Sequence, residues 1–127
     1  MLPLLLALLI VQFGLAGSAM AEPSKLAGEA LRRAVSGKTV HIATSVGSFP
    51  IRYKSNGTMT GQAPVFVASL GGESDSGKWW VVDDRLCQRW QRWLDAKQYC
   101  FKLQRVGAAV HWWRNDGLTG TATIARR

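Results

Sequence analysis

The side chains of this chain that could do chemistry are two cysteines, two histidines, an Asp-Asp pair and six tryptophans interspersed with arginines. Cys87 and Cys100 are its only thiols and lie 13 residues apart. That spacing is not C-x-x-C, and both histidines are far away in sequence, so the pair fits a metal poorly. In an oxidising compartment an isolated pair of this kind forms a disulfide, and closing the loop would stabilise the fold by about 3 kcal/mol on the chain-entropy account. His41 and His111 sit on alternating strand patterns with no nucleophile elbow nearby, which argues against a catalytic triad. If they met across a sheet they could hold a metal with Asp83, Asp84 or Asp116, an option that ranks behind a site with no metal. Asp83 and Asp84 are sequence neighbours whose carboxylates would diverge on a strand, so they suit a turn better than a glycosidase pair. The chain contains no dinucleotide-binding G-x-G-x-x-G, P-loop, EF-hand loop or haem-attachment C-x-x-C-H. The expectation is therefore a protein without cofactor or metal, and not an enzyme.

The tryptophans say more. Trp79-Trp80 and Trp112-Trp113 are adjacent pairs, with Trp90 and Trp93 between them. On a strand, one ring of each pair faces inward and its neighbour outward. Outward rings beside Arg85, Arg89, Arg92 and Arg114 would make a basic aromatic surface of the kind that meets anionic sugars, lipid headgroups or a protein partner. The candidate contacts are Trp80, Arg85, Arg89, Trp93 and Arg114. The plainer alternative is that the outer rings cover a barrel mouth or pack under the helix and loop. Sixteen Lys and Arg against eight Asp and Glu give a formal charge of +8, which fits an anionic envelope lipid, glycan or protein partner. Nucleic acid is not an expected partner for an exported protein.

Among the elements that must carry these residues, 1–21 reads as a secretory signal peptide. An apolar run from Leu4 to Val11 is followed by small residues and the cleavage pattern Ala19-Met20-Ala21. The run is broken by Gln12, Gly14 and Gly17 and is short for a membrane span, so none is expected after cleavage. The remainder, 22–127, is expected to be one β-rich domain in the periplasm or outside the cell. Ser24 to Val35 carries Leu26, Ala30, Leu31, Ala34 and Val35 at helical spacing, with Ser24 as a possible cap and Gly37 as a stop. From Lys38 the period becomes two. Strands are expected around Val40–Ile42, Phe49–Tyr53, Thr58–Gln62, Lys78–Val82, Leu86–Trp90, Gln98–Val106, Ala109–Arg114 and Leu118–Ile124. Asn56-Gly57 and Asn115-Asp116-Gly117 are hairpin turns, and 63–77 is a loop with an exposed tip at 71–77. Pairing Cys87 with Cys100 across antiparallel strands sets Arg89 opposite Gln98 and Arg85 opposite Lys102 on one face, with Leu86, Tyr99, Phe101 and Leu103 on the other. Arg92 to Lys97 would form a helical turn between the two strands. One helix and then an antiparallel meander predict a small lipocalin-like or avidin-like barrel, with a two-sheet sandwich as the alternative.

The segments LRRAVSGKTV (31–40), IRYKSNGTMTG (51–61), GKWWVVDDRLCQRW (77–90), Tyr99-Cys100 and DGLTGTATI (116–124) resemble a family of small exported alphaproteobacterial proteins of unknown function. The likeness spans most of the chain after residue 21, and its most specific part is the R-L-C-x-x-W block with a second cysteine after it. It implies a barrel strand stapled to its neighbour and supplies no catalytic residues. Proteins of this kind are sometimes named dihydrodipicolinate reductases, a name at odds with the missing dinucleotide fingerprint. The functional expectation is a non-enzymatic periplasmic binding module. An inhibitor of secreted proteases, inserting a flexible Glu22-Pro23-Ser24-Lys25 end, is the alternative, and an enzyme comes third.

Overall fold

A computed structural model of the chain describes Gly14, residues 22–63 and residues 73–125. The expected export segment, 1–21, lies outside the described residues apart from Gly14, as does most of the expected loop, residues 64–72. The elements are β1 (Ser24–Leu26), α1 (Gly28–Val35), β2 (Lys38–Thr44), β3 (Gly47–Tyr53), β4 (Thr58–Gln62), β5 (Ser74–Val82), β6 (Arg85–Trp90), a 3-10 turn (Trp93–Ala96), β7 (Gln98–Val106), β8 (Ala109–Arg114) and β9 (Thr119–Ile124). Each strand from β2 to β8 pairs antiparallel with the next, and β9 returns to β2 with Val40 opposite Ile124 and Ile42 opposite Ala122. The sheet therefore closes into an eight-stranded barrel of the expected lipocalin-like or avidin-like kind, and the sandwich alternative falls. No helix among the described residues is long and apolar enough to cross a membrane.

Period-two patterning decides what the barrel holds. Val40, Ile51, Tyr53, Met59, Trp79, Leu86, Trp90, Leu103, Val110, Ala122 and Ile124 are all buried, most at alternate positions along their strands. The disulfide joins Cys87 and Cys100 as direct register partners, with Leu86 opposite Phe101 and Arg89 opposite Gln98, the register that the cysteine spacing implied. The Asn56-Gly57 hairpin also forms. Its connection runs over four residues, 54–57, because Trp79 holds it from the side: the Trp79 backbone N–H donates to the Gly57 carbonyl and its indole Nε1 to the Lys54 carbonyl.

Two expectations are corrected. Ser24 does not cap the helix, because Ser24–Leu26 forms β1 and pairs with Leu103–Arg105 on β7, beyond the stretch of β7 that pairs with β6. The helix starts instead at Gly28, whose N–H donates to the Asp83 carbonyl at 2.9 Å. It buries Leu31, Ala34 and Val35 against the adjoining ends of β2, β5 and β6, and leaves Ala30 exposed. The exposed tip expected at 71–77 is also shorter than the composition suggested. Ser74 to Gly77 belongs to β5, paired with Met59 to Gln62, because Asp75 turns inward and is buried.

Candidate ligand cavity

Eight strands leave an interior wide enough for packed side chains or one small ligand. Here α1 fills one end with Val35, and above it lies a cavity of about 400 Å³. Its wall is apolar: Val40, Ile42, Phe49, Ile51, Leu86, Leu103, Val110 and Ile124, with the rings of Trp90, Trp93, Phe101 and Trp112. Trp90 and Trp93 meet at 4.6 Å between ring centroids, and Phe101 stands edge-on to Trp112 at 5.5 Å. The exposed members of the lining are Ala43, Thr44, Leu118 and Thr119, all at the β2–β3 and β8–β9 turns, so the cavity opens at the end away from α1.

Small inward residues make the room. A side chain on Gly61 would run into Trp90 and Trp93, and one on Gly120 would run into Trp112, so those rings lie directly on backbone. Trp112 accepts a cost for this position: its indole Nε1 is buried in the wall with no hydrogen-bond partner among the described residues. Trp93 is fixed from below by Asp75, whose carboxylate accepts from the backbone N–H groups of Arg92 and Trp93, each at 2.8 Å. Burial alone would raise the Asp75 pKa. The N–H groups of Trp93, Arg92 and Ser76 and the Arg92 charge outweigh that and hold it below the usual carboxylate value. After Trp93 the chain turns through three residues of positive φ, Leu94, Asp95 and Ala96, and Leu94 joins the lining. None of the three is glycine, so the turn stores backbone strain next to the cavity.

Polar groups are few inside. The Tyr53 hydroxyl donates to Gln88 Oε1 at 2.7 Å, from β3 across to β6. Burial pushes the Tyr53 hydroxyl well above the ordinary tyrosine value, so it stays protonated. Near the opening, Arg114 forms a two-pronged pair with Asp116 at 2.8 and 2.7 Å, and its guanidinium lies 4.1 Å from the centre of the Tyr99 ring. The pairing raises the Arg114 pKa and holds Asp116 at about 2.

The expected contact residues divide into two groups. Trp80, Arg85 and Arg89 share the outer face of β5 and β6, where Trp80 is the register partner of Cys87 and Lys78 that of Arg89. Trp93 and Arg114 are on the cavity lining instead. Trp93 is 2 % exposed and Arg114 half-buried, so neither joins the outer patch. The expected free end at Glu22–Lys25 is half tied down, since Ser24 and Lys25 lie in β1 and Lys25 pairs with Asp84 at 2.8 Å. His41 and His111 are on β2 and β8, with β9 between them, and among the described residues no three His, Cys, Asp or Glu side chains come together. Gln88 is a site residue that the sequence alone did not single out. Its only signal there is a polar residue at an inward position, between Leu86 and Trp90.

A second hollow, about 740 Å³, lies on the outer surface along Thr39, Arg52, Thr60, Gln62, Ser76 and Arg92. It is wider but open and polar-sided, so enclosure rather than volume favours the interior as a small-molecule site. No family model, curated protein or solved structure matches the chain.

Proposed function

We propose that the protein is a non-enzymatic binding module that holds a small apolar molecule inside its barrel. The observation that carries this is the apolar cavity inside the barrel, walled by Trp90, Trp93 and Trp112 and open at one end. A void of this kind in a filled core would cost stability with nothing in return, whereas a bound ligand recovers the lost contacts. The disulfide supports work in an oxidising compartment, the periplasm or the cell exterior. The test is titration with the neutral fluorophore N-phenyl-1-naphthylamine, read by energy transfer from the cavity tryptophans. Saturable 1:1 binding is expected, and Ile42→Trp, which narrows the space, should weaken it without unfolding the barrel. Binding unaffected by that substitution would place the probe elsewhere and defeat the proposal.

One observation favours a second, compatible reading. Lys78, Arg85, Arg89 and Lys102 lie at outward positions around Trp80, and neither Arg85 nor Arg89 has a carboxylate partner among the described residues. We propose that this face meets an anionic envelope surface. Retention on vesicles containing phosphatidylglycerol should fall with added salt and with Arg85→Glu/Arg89→Glu. Retention indifferent to both would remove the reading.

A further inference from the structure

We infer that the cavity selects a neutral apolar molecule whose inner end carries a hydrogen-bond acceptor, above all a carbonyl oxygen, received by the Gln88 amide. This rests on the proposal that the interior is the binding site, and it names what that site would choose.

Among the described residues, the Gln88 amide nitrogen at the cavity wall has no hydrogen-bond partner. Gln88 is 5 % exposed and lines the cavity. Between them, Tyr53 and Gln88 hold three donor hydrogens, one on the phenol and two on the amide, and their single hydrogen bond uses one. No other group among the described residues bonds to the Gln88 amide nitrogen, and unlike the indole nitrogen of Trp112 it is not sealed in the wall. With Oε1 facing the phenol, the amide oxygen and the hydroxyl are each bonded, and both hydrogens of the amide nitrogen remain unmet. A ligand oxygen placed there would gain one hydrogen bond, a net stabilisation of about 0.5–1.5 kcal/mol.

The lining also excludes charge. Among the described residues no Asp or Glu lines the cavity, so nothing there would pair with a cationic ligand. The only charged residue on the described lining, Arg114, lies toward the opening and already has Asp116 and the Tyr99 ring. A carboxylate at Gln88 would be buried with no cation beside it, which is costly. Size sets a further limit: at protein-like packing density, 400 Å³ takes roughly twenty non-hydrogen atoms.

The experiment uses three matched competitors of N-phenyl-1-naphthylamine: 4-phenylbutan-2-one, butylbenzene and 4-phenylbutyrate. They share a ring and chain and differ in carrying a carbonyl, no polar atom, or a carboxylate. The ketone should displace the probe at least about tenfold better than the carboxylate and should move the Gln88 side-chain amide resonances downfield in a ¹H–¹⁵N spectrum. Removing Gln88 alone would leave the Tyr53 hydroxyl free to take its place, so the variant is Tyr53→Phe/Gln88→Met. In it the ketone should lose about five- to tenfold in affinity, the value of one hydrogen bond, while butylbenzene keeps or gains affinity. If the double variant does not fold, the amide resonances of the wild-type protein decide alone. If the probe itself does not bind, the interior proposal fails. If the probe binds but the carboxylate competes as well as the ketone, or the Gln88 resonances stay still, the interior proposal stands and this inference is wrong.

Discussion

Asp75 shows what a single buried carboxylate does for the candidate site. Its side chain is 2 % exposed, and it ties the backbone of Arg92 and Trp93 to β5. Without it, two N–H groups under a cavity tryptophan lose a charged acceptor. Asp75→Ala should therefore destabilise the protein by about 3 kcal/mol, measured by urea unfolding. The pH dependence follows from the lowered pKa: the native state favours the carboxylate, so the stabilisation is present at neutral pH and is lost as pH falls through the acidic range. Asp75→Asn should flatten that dependence, and an Asn variant as acid-sensitive as wild type would mean another group is responsible. The anchor also explains why Trp93 was misplaced from sequence. Nothing local marks position 93 as interior, and the residue that pulls it in lies 18 positions earlier, on β5.

At the level of elements, alternation and turn chemistry made most strands legible, often to the residue, as for Gln98–Val106 and Ala109–Arg114. The failures came where a partner strand overrode local pattern. Ser24–Leu26 reads as the start of a helix, yet β7 extends past the end of β6 and offers an unpaired edge, which this segment takes. Ser74–Gly77 reads as a loop, yet it pairs with β4. Sequence patterning cannot express how near two elements come. β4 passes beneath the rings of Trp90 and Trp93 only because position 61 has no side chain. A β-carbon there would lie 2.6 Å from one ring and 2.8 Å from the other, too close for either to stay. Gly61→Ala should cost about 1–3 kcal/mol and, because the displaced rings line the cavity, should also weaken N-phenyl-1-naphthylamine binding. A variant with lowered stability and unchanged probe affinity would show that the rings move away from the cavity rather than into it.

For the molecule as a whole, the inward and outward faces could be read from the sequence, but the volume left between them could not. That volume depends on how eight strands close and on where glycine and alanine, at 61, 120 and 122, replace larger inward residues. The disulfide bears on this differently. It joins strands that are already neighbours in a closed sheet and lies on the Arg89 side of β6, opposite the cavity-lining Leu86, Gln88 and Trp90. Its contribution should come mainly from restricting the unfolded chain, about 3 kcal/mol for a 13-residue separation. For a domain of this size that corresponds to a fall in melting temperature of roughly 10–20 °C on reduction or in Cys87→Ser/Cys100→Ser. At about 20 °C, below even the lowered melting temperature of an ordinary domain, the reduced barrel should stay closed and bind N-phenyl-1-naphthylamine with its original affinity, because no cavity contact passes through sulfur. Loss of probe binding at a temperature where circular dichroism still reports the native sheet would show instead that the bridge sets the shape of the interior.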